Sequence, residues 1–168
     1  REGLYNACMA LCPEVTRGGA RPVVLTPNPF YQVYAVAGAS VGAEVVFVPA
    51  TAQTDFLPDY AGLPEDILNR TEIVYLCSPS NPQGAVADAG YWANLLAMAE
   101  KYDFRIFSDE CYSEIYRDSP PPGGLQMVQM FGADPERVVV FHSLSKRSNL
   151  PGLRSGFVAG GPQSIARI

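Results

Sequence analysis

His142-Ser-Leu-Ser-Lys-Arg-Ser-Asn-Leu-Pro-Gly-Leu-Arg-Ser-Gly156 follows Val138-Val-Val-Phe141, a β-branched and aromatic run that reads as a buried strand. A lysine just past a buried strand, among small hydroxyl residues, is poorly placed for a solvated surface charge, so partial burial is expected for Lys146. Partial burial or a neighbouring cation lowers an amine's pKa, and the free amine then traps carbonyl compounds. Eight residues on, Arg154 offers a planar fork of donors that suits phosphate, and Ser143 and Ser145 add hydroxyls on the same turn. The stretch thus sets an aldehyde-reactive amine beside a phosphate grip. Taken alone it also fits a Ser/Gly/Pro surface loop that carries three cations, so the rest of the chain has to decide.

Outward from this stretch, helical patterns and continuous apolar strands alternate. Leu4, Ala7, Cys8 and Leu11 recur at helical spacing over residues 1–12, and Pro13 ends that helix. A short buried strand over 23–26 meets a turn at Pro27-Asn-Pro29. A helix over 31–41 is stopped by Gly42, and Glu44-Val-Val-Phe-Val48 is the next strand. A short helix near 64–69 carries Glu65 and Asp66 in its first turn, as the helix dipole favours. After the strand Glu72-Ile-Val-Tyr-Leu-Cys77, Asp88 caps a helix reaching Tyr102, with Trp92, Leu95, Leu96 and Ala99 on one face. Arg105-Ile-Phe-Ser-Asp109 is a strand, Ser119-Pro-Pro-Pro-Gly-Gly124 a loop, and Ser155-Gly-Phe-Val-Ala159 the last strand. This alternation predicts an α/β architecture with a mostly parallel sheet covered on both faces. The chain begins and ends inside helical patterns, which reads as an internal piece of a longer protein.

Ligands of such sheets bind beyond the carboxyl ends of the strands. Three polar motifs gather there: Ser78-Pro-Ser-Asn-Pro-Gln-Gly84, Asp109-Glu-Cys-Tyr112 and Ser143-Leu-Ser-Lys146. Each has a plain reading, turn chemistry for Asn81-Pro-Gln-Gly84 and a helix cap for Asp109, but their joint placement at strand exits points to a site. A rival is Gly38-Ala-Ser-Val-Gly42, which matches the Gly-x-Ser-x-Gly elbow of serine hydrolases, with Asp109 and His142 following in hydrolase order. That elbow needs a strand before its serine and a helix after it, and here the order is inverted. No Gly-x-Gly-x-x-Gly or Gly-Lys-Ser/Thr supports nucleotide binding.

Composition narrows the class further. A length of 168 residues suits one domain, and a net charge of −5 offers no basic face for nucleic acid or anionic lipid. No apolar run reaches membrane-spanning length. One histidine argues against a zinc site, and four cysteines (Cys8, Cys12, Cys77, Cys111) without a disulfide-framework spacing suit a reduced, cytoplasmic setting.

Asn28-Pro-Phe-Tyr-Gln-Val-Tyr34, Asn81-Pro-Gln-Gly84, Asp109-Glu-Cys-Tyr112 and Ser143-Leu-Ser-Lys146 through Arg154, in this order, resemble the signature of class I/II, fold type I, pyridoxal phosphate aminotransferases. Within that family the wording of the lysine loop and of Asp109–Tyr116 is most similar to bacterial N-succinyldiaminopimelate aminotransferases. The resemblance implies a three-layer sandwich, with residues 1–168 forming part of the large cofactor-binding domain and lacking an N-terminal segment and a small C-terminal domain. It implies transfer of an amino group between glutamate and N-succinyl-2-amino-6-oxopimelate, in lysine and diaminopimelate biosynthesis, by a cytoplasmic homodimer. It implies that Lys146 forms the Schiff base and shuttles a proton, that Asp109 pairs with the pyridine nitrogen, and that Tyr112 and Asn81 donate to the ring oxygen. Tyr31 would stack on the ring, and Ser143, Ser145 and Arg154 would bind the phosphate, near a helix N-terminus at Arg1. Substrate partners are small amino and keto acids, with no nucleic acid and no membrane. The same fold also hosts lyases, decarboxylases and acyl-CoA condensing enzymes, and the cofactor-binding domains of some transcriptional regulators.

Overall fold

The computed structural model describes residues 1–168. In chain order the elements are α1 (Glu2–Leu11), β1 (Val23–Asn28), α2 (Gln32–Ser40), β2 (Glu44–Pro49), α3 (Glu65–Leu68), β3 (Thr71–Cys77), α4 (Ala89–Tyr102), β4 (Arg105–Asp109), α5 (Gly124–Phe131), β5 (Val138–Ser143), α6 (Leu144–Arg147), β6 (Gly156–Gly160) and α7 (Pro162–Arg167). The strands make one sheet in the order β2-β1-β3-β4-β5-β6. Strands β1 to β5 are parallel, and β6 returns antiparallel along β5, pairing Ser143 with Gly156.

Alternate side chains of the same strands enter two separate cores, which is what a sheet covered on both faces requires. Ile106, Val138 and Val140 pack with Trp92, Leu95 and Leu96 of α4, Met127 and Val128 of α5 and Leu68 of α3. Phe107, Val139 and Phe141 pack on the other face with Leu4, Ala7 and Cys8 of α1, Tyr34 and Ala37 of α2, and Ile165 of α7. The three-layer α/β sandwich with a mostly parallel sheet is therefore as the sequence implies. Asp88 caps α4, its Oδ1 accepting from the Tyr91 N–H at 2.8 Å. No helix is long and apolar enough to cross a membrane.

Two local expectations are corrected. The sequence predicts a turn over 27–29, yet β1 runs on through Pro27 to Asn28. The odd-numbered N–H groups of β1 point at β3, as Val23 N donating to Arg70 O at 2.8 Å shows. Pairing with β3 stops at Leu25, so the N–H that Pro27 lacks has no ladder partner to miss. Helix α5, after the loop 119–124, has no counterpart in the sequence pattern. It starts where Gly124 N donates to the Glu110 carboxylate at 2.7 Å, an anion at a helix N-terminus.

Gly38 and Gly42 have packing and turn reasons of their own. A Cβ on Gly38 would lie 2.9 Å from Val45 Cγ2 and 3.1 Å from Val24 Cβ, so the glycine lets α2 rest directly on the sheet. Gly42 has φ +76 and turns the chain from α2 into β2. Ser40 ends a helix and precedes a strand, the reverse of a nucleophile elbow. Gly38→Ala is expected to cost about 1–3 kcal/mol in urea unfolding, the cost of overpacking a tight core. An unchanged midpoint would show that α2 lifts freely off the sheet.

Candidate active site

The carboxyl ends of the parallel strands open onto a cavity of about 350 Å³. All eight residues singled out from the sequence line it: Tyr31, Asn81, Asp109, Tyr112, Ser143, Ser145, Lys146 and Arg154. A smaller recess of about 230 Å³ shares Arg1, Ser143 and Arg154 with it and adds Ser155.

Asp109, the last residue of β4, lies at the cavity floor and is only 6% exposed. Its Oδ2 accepts from the Tyr34 hydroxyl at 2.6 Å and its Oδ1 from the Cys111 N–H at 3.2 Å. Burial first, then the Asp109 charge, pushes the Tyr34 hydroxyl well above its ordinary pKa, so it stays protonated and donates. Tyr34 is itself clamped, its ring stacked on Tyr75 at 4.5 Å and edge-on to Tyr31 at 5.8 Å. None of the chain's ion pairs includes Asp109. A buried carboxylate held only by neutral donors is an unfinished arrangement, stabilised further by any cation that a ligand brings.

At the other end of the cavity the donors suit an anion. Ser143 caps α6, its Oγ accepting from Ser145 N at 3.1 Å. Arg154 sits in the left-handed region at φ 49, and one of its N–H groups donates to Pro151 O at 2.9 Å. That turn presents the guanidinium at the cavity edge beside Arg1, whose Nε donates to the Tyr31 hydroxyl at 3.1 Å. Asn81 stands on the turn after β3, which is closed by Gly84 N donating to Ser80 O at 2.8 Å and by Ala85 N donating to Ser80 Oγ at 2.9 Å. Burial, then the charges of Cys77 and Asp109, raises the Tyr112 hydroxyl, which keeps it a donor. Burial and Asp109 likewise push the Cys77 thiol up to about 12, so it is not a nucleophile at neutral pH.

Lys146 lines the cavity but is exposed, so the partial burial expected of it is not found. It stands on α6, a four-residue turn past the end of β5 that has no buried residue. Arg147 turns away from the cavity, toward Glu114 at 3.7 Å and over the Phe157 ring at 5.8 Å. His142 also faces elsewhere, its Nε2 lying 3.2 Å from Glu110 Oε2. Ser40 does not line the cavity, so no serine–histidine–aspartate constellation forms. Two parts of the site carry no sequence signal that singles them out, Tyr34 and the apolar wall of Pro27, Pro29, Phe30, Phe56 and Pro58. Tyr34 ends the motif that begins at Asn28, but its bond to Asp109 spans 75 residues and has no local cause.

The model of the family "Aminotransferase class I and II" matches residues 5–168. The LL-diaminopimelate aminotransferase of Nitratidesulfovibrio vulgaris is 38% identical over 148 residues, which are 87% of this chain and 37% of that relative. The crystal structure of an aminotransferase from Neisseria meningitidis Z2491 superposes with a TM-score of 0.90 at 42% identity, over 98% of this chain and 41% of the other. A Thermus thermophilus structure, called a probable N-succinyldiaminopimelate aminotransferase, gives a TM-score of 0.84 at 31% identity over 99% and 42%. The chain spans about two fifths of the length of the relatives it matches.

Proposed function

We propose, since this chain belongs to the aminotransferase class I and II family, that the full-length protein is a transaminase moving an amino group between glutamate and N-succinyl-2-amino-6-oxopimelate. It works as a cytoplasmic homodimer in lysine and diaminopimelate biosynthesis. Residues 1–168 form part of the large cofactor-binding domain, and the substrate α-carboxylate is gripped outside them. The family depends on pyridoxal phosphate, and the cavity fits that group by the chemistry of its donors. The observation that carries the reading is Asp109, a buried carboxylate without a cationic partner, facing the same cavity as Lys146 and a hydroxyl-and-guanidinium cluster.

In this reading Ser143, Ser145 and Arg154 hold the phosphate, with Arg1 beside them. Asp109 keeps the proton on the ring nitrogen, Tyr112 and Asn81 donate to the ring oxygen, and Tyr31 covers one ring face. Bound pyridoxal phosphate supplies an aldehyde that takes up amines and a ring that withdraws electrons from the carbon bearing the amine. Lys146 Nζ would anchor the cofactor and, once displaced as a free amine by the substrate's amino group, would carry the proton between the substrate's Cα and the cofactor's C4′. Tyr34 keeps Asp109 oriented toward the ring.

A second reading has its own support. The relatives with 32–38% identity are named LL-diaminopimelate aminotransferases, which favours an acceptor without a succinyl group. A donor–acceptor panel on the full-length protein separates the two. It compares N-succinyl-2-amino-6-oxopimelate, its unsuccinylated counterpart (the keto acid that corresponds to diaminopimelate) and aromatic, branched and C4–C5 dicarboxylic keto acids, with glutamate as donor. A kcat/KM for the succinylated acceptor at least about tenfold above the others is expected, the discrimination of one well-made polar contact. Preference for the unsuccinylated acceptor selects the second reading, and preference for aromatic or branched acceptors discards both.

A further inference from the structure

The strands that deliver the site have a second, hidden side. Because side chains alternate, Asp109 and Ser143 share the cavity face with Phe107, Val139 and Phe141, whereas Glu110 and His142 project from the opposite face with Ile106, Val138 and Val140. Glu110 is 5% exposed. Its Oε1 accepts from Gly124 N at 2.7 Å and from Ser108 Oγ at 3.0 Å, and its Oε2 lies 3.2 Å from His142 Nε2. His142 is stacked on Phe157 of the neighbouring β6, with ring centroids 4.7 Å apart. Neither residue lines the main cavity, and His142 borders only the smaller recess beside it.

Their location gives them a task. Register pairing of β4 with β5 ends at Asp109 and Phe141, and one further bond, Glu110 N to Phe141 O at 3.0 Å, closes the ladder. Beyond it both strand ends reach the cavity, β4 with Asp109 and β5 with Ser143. Asp109 and Ser143 are the residues proposed to take opposite ends of one ligand, and each is followed or preceded directly by a member of the pair of buried Glu110 and half-buried His142. We infer that the Glu110–His142 contact is a buckle across the ends of β4 and β5 that sets the separation of Asp109 from Ser143, and that both are positioning residues for pyridoxal phosphate. The inference rests on the assignment of Asp109 and Ser143 above.

A spacing device has a signature of its own. A ligand gripped at both ends gains from the fixed span as a bivalent ligand does, whereas a ligand held at one end is indifferent to it. The experiment measures dissociation constants of the full-length apoprotein for pyridoxal phosphate, for pyridoxine (ring end only, with no aldehyde for Lys146 to take up) and for inorganic phosphate (phosphate end only). H142F keeps the aromatic packing on Phe157 and removes the contact with Glu110. It is expected to weaken pyridoxal phosphate about tenfold and each one-ended probe less than about twofold. H142Q, which restores an N–H facing Glu110, is expected to recover most of the loss. E110Q, which retains an oxygen for Gly124 N and Ser108 Oγ, is the gentler second variant if H142F does not fold, and the same selective loss is expected of it. Parallel weakening of all three probes, or no change in any, overturns the inference and leaves the pair a component of the core. A wild-type protein that binds no pyridoxal phosphate overturns instead the site assignment on which the inference stands.

Discussion

Lys146→Ala in the full-length protein is expected to lower turnover by about 100- to 10,000-fold, the range supplied by one positioned proton-transfer group, while pyridoxal phosphate still binds. Binding survives because Ser143, Ser145, Arg154 and Asp109, which line the same cavity, are untouched. Turnover does not, because no other lysine among residues 1–168 lines that cavity. The chain has one further lysine, Lys101, at the end of α4 with its ammonium 4.5 Å from the centroid of the Tyr102 ring. Reduction of the loaded protein with borohydride followed by peptide mapping checks the same claim independently of activity. The pyridoxyl adduct is expected on Lys146, and an adduct confined to Lys101 would refute the assignment. The exposure of Lys146 gives the mapping extra weight, since nothing in its surroundings yet distinguishes its amine from a surface one.

Asp109→Ala carries the second large effect. A charge-assisted hydrogen bond is worth about 1.5–3 kcal/mol, so losing the carboxylate proposed to pair with the ring nitrogen should slow turnover roughly 10- to 100-fold. Asp109→Asn separates charge from shape. Its amide oxygen still accepts from Tyr34, yet it cannot stabilise a protonated nitrogen, and the loss should be close to that of the alanine variant. Turnover in Asp109→Asn near the wild-type value would mean that the carboxylate serves only its neighbours, through the 3.2 Å bond from Cys111 N and the 2.6 Å bond from Tyr34.

The parts of this fold that could be read from the sequence were those with local causes. β-Branched runs such as Val138-Val-Val-Phe141 declared buried strands, Asp88 declared the start of α4, and the inverted order of helix and strand around Ser40 argued correctly against a hydrolase. The polar residues at strand exits could be placed together because parallel topology brings carboxyl ends to one edge. Three things had no local cause. Helix α5 begins behind Gly123 and Gly124, poor helix formers, and is started by a carboxylate fourteen residues upstream. Pro27 continues a strand only because β3 stops pairing beside it. Tyr34 reaches Asp109 across 75 residues. The exposure of Lys146 is of the same kind, since burial past a strand end depends on what lies above it and not on the strand.

The adjacency of Asp109 and Glu110 makes the length of β4 a quantity with chemical meaning. One acid faces the cavity and its neighbour the core only because an odd number of steps separates opposite faces of a strand. A one-residue deletion within residues 105–108 would move the tandem by about 3.3 Å and turn it over. Glu110 would arrive at the cavity floor with one methylene too many, and Asp109 would be driven into the core in place of Ser108. Substitutions in β4 can be graded by size and polarity, but a one-residue insertion or deletion takes Asp109 off the cavity face outright. Length variation among related chains is therefore to be sought in the loop over 112–122, where no such parity is kept.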